Sequence, residues 1–374
     1  MRKVLLTATV QSHICQFHKP LVEMLREQGD VEIHVAARNN LAEKNGLKLD
    51  FVDKVYNIPF SRSPKSTDNI KAYKQLKKLI SEEKYDIIHC NTPMGGIVTR
   101  LAAKKARKNG TKVYYTAHGF HFYKGASKLN WMIYYPIEKL FSRKTDKLIT
   151  IVDEDYSRVN DKFGCPVYHM HGVGVNQSRY TTVSAEEKKQ LRKEMGFDED
   201  QKILLCVGEL LPNKNQQMII NIMPQILKKY PDARLLLAGN GPEMENLEAL
   251  IASLGLENSV TMLGYVTNLQ DYQHISDILV SCSKREGLPL NVIEAMMSGN
   301  PCVLTENRGH RELVNGGKNG CLVKVNDNTA MTESILGIFG DPAKAQELSA
   351  NAFEFSKLYS FENVKKELTS IYGL

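Results

Sequence analysis

Apolar, β-rich runs alternate with helix-length patterns from one end of this chain to the other, and that alternation restricts the fold more than any other feature. In the first half the runs fall at 4–10, 31–37, 52–58, 87–90, 113–117, 148–152 and 167–170. Helical periodicity separates them at 17–28, 70–81, 96–108, 129–141 and 155–162. A second series of runs occupies 203–207, 235–238, 260–263, 278–280, 302–305 and 321–323. Strands alternating with helices predict parallel sheets wrapped by helices, an α/β fold. At 374 residues, 42% of them hydrophobic, the chain exceeds one ordinary core and can fill two. A polar, glycine-rich hinge, His171-Gly172-Val173-Gly174-Val175-Asn176, separates the two series, and a charged helix near 185–196 follows it. The domains are therefore expected at 1–175 and 176–355, with a closing segment at 356–374 that holds an amphipathic helix led by Ser360. Two doubly wound domains facing each other would put the C-terminal ends of both sheets on one cleft, where ligands bind in such folds.

Charge and cysteine usage narrow the classes further. The net charge of +7 hides an asymmetry: residues 1–175 hold 29 Lys+Arg against 17 Asp+Glu, a net +12, and the remainder holds 20 against 25, a net −5. The basic half is clustered, as in Lys71/Lys74/Lys77/Lys78 and Lys104/Lys105/Arg107/Lys108. Aromatics are not interleaved with these clusters and no nucleic-acid motif accompanies them, so no nucleic-acid partner is expected. An anionic membrane surface or a pyrophosphate-linked acceptor suits a basic face, and so does plain solvation. No apolar run approaches the roughly 18 residues of a membrane span. The N-terminal apolar stretch turns polar by Thr7 and reads as a first strand, not a signal peptide. Seven scattered cysteines without a C-x-x-C pair fit thiols of a reducing cytoplasm.

The stretch Arg285-Glu286-Gly287-Leu288-Pro289-Leu290-Asn291-Val292-Ile293-Glu294 is the most specific chemical signal. Pro289 suits a helix start, where its missing N–H costs nothing. The N–H groups of Leu290, Asn291 and Val292 would then be free to meet a phosphate. Glu286 precedes the helix and Glu294 lies more than a turn inside it, one acid for a sugar and one for a ribose. Gly208, after the run at 203–207, permits close approach of a ligand, and Lys214 at the start of the next helix can meet a phosphate. A cation about 4 Å from one phosphate charge is worth about 4 kcal/mol at an effective dielectric near 20. The helix end adds only about 0.3–1 kcal/mol, so the lysine dominates. Gly239-Asn240-Gly241-Pro242 lacks the third glycine of a dinucleotide fingerprint and reads as a tight turn. Gly264, Tyr265 and Val266 close another strand and can cover a base.

In the first half, His118-Gly119-Phe120-His121-Phe122-Tyr123 follows a strand, and His118 there can reach a sugar hydroxyl or a bridging phosphate oxygen. Phe120, His121 and Tyr123 suit a carbohydrate cleft. The loop after strand one, with Ser12, His13 and His18, is the expected place for acceptor and phosphate contacts. His13, His18 and Cys15 have no carboxylate or cysteine partners at ligand spacing, so no metal site is expected. Asp153-Glu154-Asp155 matches the metal-binding acidic triplet of another class of sugar transferase, but it stands where a helix begins and is read as capping.

Taken together these motifs resemble a retaining glycosyltransferase of family four with the GT-B architecture, over essentially the whole chain. The first-half motifs and Arg308-Gly309-His310-Arg311-Glu312-Leu313 are similar to the bacterial exopolysaccharide and capsular polysaccharide assembly branch. The resemblance implies transfer of a sugar, a hexose or N-acetylated aminosugar, from a UDP-sugar to a glycan or polyprenyl-pyrophosphate-linked acceptor. It also implies no cofactor and no obligatory metal. Glu294 would hold the ribose, Glu286 the sugar hydroxyls and Lys214 the diphosphate. His118, Glu286 and Lys214 would carry the chemistry, with Gly287 and Leu288 beside the donor, and the final helix would cross back to the first domain. The enzyme would work in the cytoplasm, on the inner face of the membrane. One departure stands out: the family usually has arginine where this chain has Glu209. That carboxylate is expected to turn away from phosphate, with Arg308 or Arg311 compensating. A nucleotide-sugar epimerase or hydrolase of the same architecture, and a non-catalytic UDP-binding scaffold, are the rival readings.

Overall fold

Thirteen parallel strands among the described residues make two sheets. The computed structural model describes residues 1–43 and 46–374. The first sheet is built from β1 (Arg2–Val10), β2 (Val31–Arg38), β3 (Lys54–Asn57), β4 (Ile87–Asn91), β5 (Lys112–Ala117), β6 (Lys147–Thr150) and β7 (Val167–His169), in the order β3-β2-β1-β4-β5-β6-β7. The second contains β8 (Ile203–Val207), β9 (Arg234–Ala238), β10 (Val260–Gly264), β11 (Ile278–Ser281), β12 (Cys302–Thr305) and β13 (Cys321–Val323), in the order β10-β9-β8-β11-β12-β13. Strand order turns back at β1/β4 in one sheet and at β8/β11 in the other, the places where such sheets open a crevice at their C-terminal ends. Helices cover both faces, so the central strands are buried on both sides; residues 4–10 of β1 are all buried. That is why they read as continuous apolar runs instead of alternating ones.

The chain divides into two units, Met1–Gly174 with Phe361–Leu374, and Val175–Ser360. Residues 356–360, expected with the closing segment, belong to the second unit. Ser356, Tyr359 and Ser360 are buried in it, and Val175 N–H donates to Tyr359 O at 2.8 Å. The closing helix, Phe361–Tyr372, starts directly after them and buries Val364, Leu368, Ile371 and Tyr372 in the first unit. There the Tyr372 hydroxyl meets His89 Nδ1 at 2.6 Å, and Lys147 Nζ donates to Ile371 O. All seven cysteines are free thiols, four of them buried. No helix among the described residues is long and apolar enough to cross a membrane.

Two local expectations fail. The segment after β1 is a helix, Gln11–Phe17, that follows the strand without a loop. It holds no glycine or proline to break it, and its buried face is anchored by Ser12, whose N–H donates to Asn40 Oδ1 at 3.1 Å. The pattern at 96–108 starts earlier, with Pro93 in the first turn, and breaks at Ala103 into Pro93–Ala102 and Lys104–Lys108.

Candidate active site

In the second unit the C-terminal ends of β8, β9 and β10 are stitched together by glycines. Gly208 N–H donates to Ala238 O at 2.9 Å, and Gly239 N–H donates to Gly264 O at 2.7 Å. A Cβ on Gly239 would lie 2.0 Å from Gly208 O, so the backbones can approach this closely only without one. Gly208 itself has φ 155°, and a Cβ there would sit 3.6 Å from Lys214 Cδ and Cε. The lysine stem therefore lies directly over this bare backbone. Lys214 is not in the first turn of a helix as expected. It sits in a turn closed by its own N–H on Leu211 O at 2.9 Å, ahead of the helix Gln217–Lys229. Two hydrogen bonds zip this turn to the loop after β11: Lys284 N–H to Asn213 O at 2.8 Å and Asn213 Nδ2 to Arg285 O at 2.9 Å. The result is an ion pair between Lys214 Nζ and Glu286 Oε1 at 2.7 Å.

The helix that follows runs Leu290–Met297 with Pro289 as its N-cap, one position earlier than the first helical residue. Its first turn is tightened, because Val292 N–H donates to Pro289 O at 3.2 Å and so is not free for a ligand. Among the described residues the amides of Leu290 and Asn291 remain as the unpaired N–H groups of a helix start. The Asn291 side chain is engaged as well, with Nδ2 donating to Val207 O at 2.8 Å, which fixes the helix to the end of β8. Val292 is fully buried, and Leu288 and Val266 pack on the same core, so these three shape the floor. Tyr265 stays 56% exposed beside Gly264, free to cover a flat ring. Burial raises the Glu294 carboxyl above its usual range, against the opposing pull of the Tyr180 hydroxyl and Arg179.

Gly309 holds a second helix, Arg308–Leu313, against this loop: a Cβ there would lie 2.5 Å from Gly287 O and 2.9 Å from Glu286 Cβ. That contact brings in His310, which no spacing argument selected. Its Nδ1 meets Thr305 O at 2.5 Å, so Nδ1 carries the hydrogen and Nε2 the lone pair. Nε2 is buried with no hydrogen-bond partner among the described residues, and burial holds the ring at a pKa of about 4. Asn307 as a helix cap is the local signal that could have found it. Arg311 pairs with Glu306 at 3.4 Å, while Arg308 is buried. Glu209 is exposed and makes no ion pair among the described residues.

In the first unit three histidines meet at the C-terminal edge of the sheet. His118, after β5, lies with its Nε2 at 3.1 Å from both His13 Nε2 and Asn91 Oδ1. Asn91 Nδ2 donates to Thr7 O at 3.3 Å, so Oδ1 is the acceptor and His118 Nε2 the donor. The His18 ring is stacked on His118 at 5.8 Å. Burial lowers His118 to about 3 and His18 to about 4, and it lowers His13 well below its usual value. All three rings are neutral at pH 7. The other acceptor-side expectations divide. Phe120 is buried and stacked on Phe122 at 4.6 Å, so it is core and not a ligand surface. Ser12 is buried, with its Oγ accepting from Asn40 Nδ2 at 2.9 Å, which makes it an anchor for the helix. His121 lies on Tyr134 at 4.4 Å, and Tyr123 is half-buried in the same loop. The acidic triplet does not cap its helix, whose N-cap is Val152. Instead Asp155 accepts from Phe120 N–H at 3.0 Å and Glu154 from Lys124 N–H at 2.6 Å, tethering the loop that carries His118.

Residues 187–355 match the family model described as Glycosyl transferases group 1, and residues 3–152 the one described as Glycosyl transferase 4-like. A Bacillus subtilis (strain 168) protein described as a glycosyltransferase, EpsD, is 40% identical over 374 residues, covering 100% of this chain and 96% of its own. An Escherichia coli UDP-Gal:alpha-D-GlcNAc-diphosphoundecaprenol alpha-1,3-galactosyltransferase is 26% identical over 313 residues, 81% of this chain and 80% of its own. Among solved structures, Anabaena HepE in complex with UDP and glucose superposes with a TM-score of 0.78 at 19% identity, over 100% of both chains.

Proposed function

This chain belongs to the GT-B glycosyltransferases of family four, and from that premise we propose that it transfers a hexose or N-acetylhexosamine from a UDP-sugar with retention of configuration. The acceptor in this reading is a glycan on a polyprenyl pyrophosphate at the inner face of the membrane, in exopolysaccharide or capsule synthesis. The observation that carries it is the Lys214–Glu286 pair, at 2.7 Å, set over the bare backbone of Gly208. Lys214 takes the diphosphate with the free amides of Leu290 and Asn291, and Glu286, released from the lysine, takes sugar hydroxyls. Glu294 takes the ribose and Tyr265 the base. His118 is assigned to the sugar or β-phosphate, and His13 to the acceptor side. Positioning and charge stabilisation are then the protein's whole contribution, with the acceptor hydroxyl attacking on the face the diphosphate leaves and an oxygen of the departing diphosphate taking its proton. No metal is required at the diphosphate, because a lysine and a helix start supply the positive charge. The UDP in HepE and the UDP-galactose and diphosphoundecaprenol in the E. coli enzyme's name support the choice of donor and acceptor class.

The test is a panel of UDP-sugars offered with and without a polyprenyl-pyrophosphate glycan. Acceptor-dependent formation of an α-linked product from one donor is the expected result. Consumption of donor without acceptor would mark a hydrolase or epimerase, and UDP binding with no turnover on any donor a scaffold.

A further inference from the structure

We propose that His13, His18 and His118 form a binding site for a borderline divalent transition metal, zinc foremost, and that loading it withdraws His118 from sugar transfer. The binding half stands apart from the function proposed above; the inhibitory half rests on it. One ring nitrogen from each of the three lies within 4.8 Å of the others. A tetrahedral zinc with Zn–N near 2.0–2.1 Å sets its ligand nitrogens roughly 3.4 Å apart. His13 Nε2 and His118 Nε2, at 3.1 Å, already stand at that spacing, and a ring nitrogen of His18 lies within 4.8 Å of both.

The donor set selects the metal. Three neutral imidazoles with one open position suit zinc, nickel or copper, whereas magnesium and calcium ask for oxygen. His18 adds an independent sign. Its Nδ1 is buried and makes no hydrogen bond among the described residues, a condition that proteins rarely leave uncompensated. The three side chains are also held in place. His13 rides on the helix Gln11–Phe17, and His18 ends that helix with its N–H on Ile14 O at 3.1 Å. His118 follows β5 in a loop tethered by Asp155 and Glu154. Binding through His118 Nε2 moves that ring's hydrogen to Nδ1 and replaces the bonds to Asn91 and His13. The ring stays neutral, but the nitrogen that faced its neighbours is taken up by the ion. Sequence spacing concealed the site because the third ligand comes from 105 positions beyond His13.

The experiment uses chelator-stripped full-length protein and Zn2+ alone, followed by calorimetry and elemental analysis, with Co2+ absorption as a report on tetrahedral nitrogen ligation. About one equivalent is expected, and His18→Gln should weaken it by about tenfold or more, since even outer partners of metal ligands are worth that much. UDP affinity and circular dichroism serve as fold controls, and His13→Gln gives a second reading should His18→Gln fail to fold. Cys15→Ser should bind as the wild type does. Wild-type and histidine variants binding zinc equally, or no stoichiometric binding at all, would overturn the site. Zinc should also slow transfer by the wild type and spare it in His18→Gln. Histidine-dependent binding with unchanged transfer would overturn the inhibitory half.

Discussion

At Glu286 a carboxylate and a lysine satisfy each other at 2.7 Å, with side chains only 13% and 22% exposed. In the proposed reading an incoming diphosphate and Glu286 compete for the same lysine. Glu286→Gln removes the competitor and keeps the shape. UDP should bind severalfold more tightly, a gain of about 1 kcal/mol, typical of partly exposed ion pairs. Transfer should fall by about 100-fold or more, the scale of losing one group that acts on developing charge. Calorimetry with UDP beside a turnover assay separates the two effects, and weaker UDP binding in the variant would refute the competition. Glu209 supplies the companion test at this scale. It is exposed and unpaired among the described residues, as a carboxylate turned away from phosphate would be. Glu209→Arg should therefore shift UDP affinity by less than about tenfold, under 1.4 kcal/mol; a larger gain would show that the position faces phosphate. The spacing of Glu286 and Glu294 was legible in the chain because both lie in one short stretch. The pairing with Lys214 was not, since it depends on hydrogen bonds between loops 72 positions apart.

The helix Leu290–Met297 carries Glu294, the carboxylate we assign to the ribose, on its half-buried face, and burial is what lifts the Glu294 pKa. The native protein thus holds this proton to a higher pH than the unfolded chain does. Burial of the charged form costs stability above the ordinary carboxylate range, and that cost disappears as pH falls below the raised value. Ligand binding runs the other way, because a protonated Glu294 can no longer accept from two ribose hydroxyls. UDP affinity should decline on acidification while most carboxylates are still ionised, and Glu294→Gln should bind more weakly and decline less steeply, keeping only the part due to the terminal phosphate of UDP, which takes up a proton at about pH 6. Calorimetry from pH 7.5 down to pH 5 would decide, and a wild-type profile parallel to the variant's would remove Glu294 from the ribose. The elements themselves were legible because parallel strands buried on both faces leave unbroken apolar runs. Their ends were less so. Pro289 caps its helix instead of entering it, and β1 passes straight into the helix Gln11–Phe17; both helices are fixed by tertiary bonds, from Asn291 to the end of β8 and from Ser12 to Asn40. Asp155 shows the limit most clearly. An acid in a first turn satisfies a local rule, yet its oxygen is taken by the backbone of Phe120, 35 positions away.

Charge is segregated along the molecule as a whole, +12 over residues 1–175 against −5 over the rest, and the first unit gathers part of it in one place. A groove of ≈ 1450 Å³ is lined by Arg2, Lys74, Lys77, Lys78, Lys105 and Lys112, with Glu82 and Asp86 as its acids. Asp86 and Lys112 mark the N-terminal ends of β4 and β5, whereas His118 follows the C-terminal end of β5. At about 3.3 Å per residue, a strand of that length puts roughly 20 Å between the two edges. A membrane held at the basic edge would therefore leave the histidine edge clear for an acceptor reaching round from the lipid surface. Each lysine near an anionic surface is worth about 1 kcal/mol, and the attraction fades within a screening length of about 10 Å at 0.1 M salt. The protein should sediment with vesicles rich in anionic lipid at low salt and be released from them near 0.5 M. Lys74→Glu, Lys77→Glu and Lys78→Glu together should lower the bound fraction by about tenfold or more, since reversing three charges removes several kcal/mol of attraction. UDP affinity should not change, because none of the three lysines is assigned to the nucleotide. Vesicle binding that survives both the salt and the triple reversal would show that some other surface makes the contact. No binding at low salt would show that the basic edge is simply solvated.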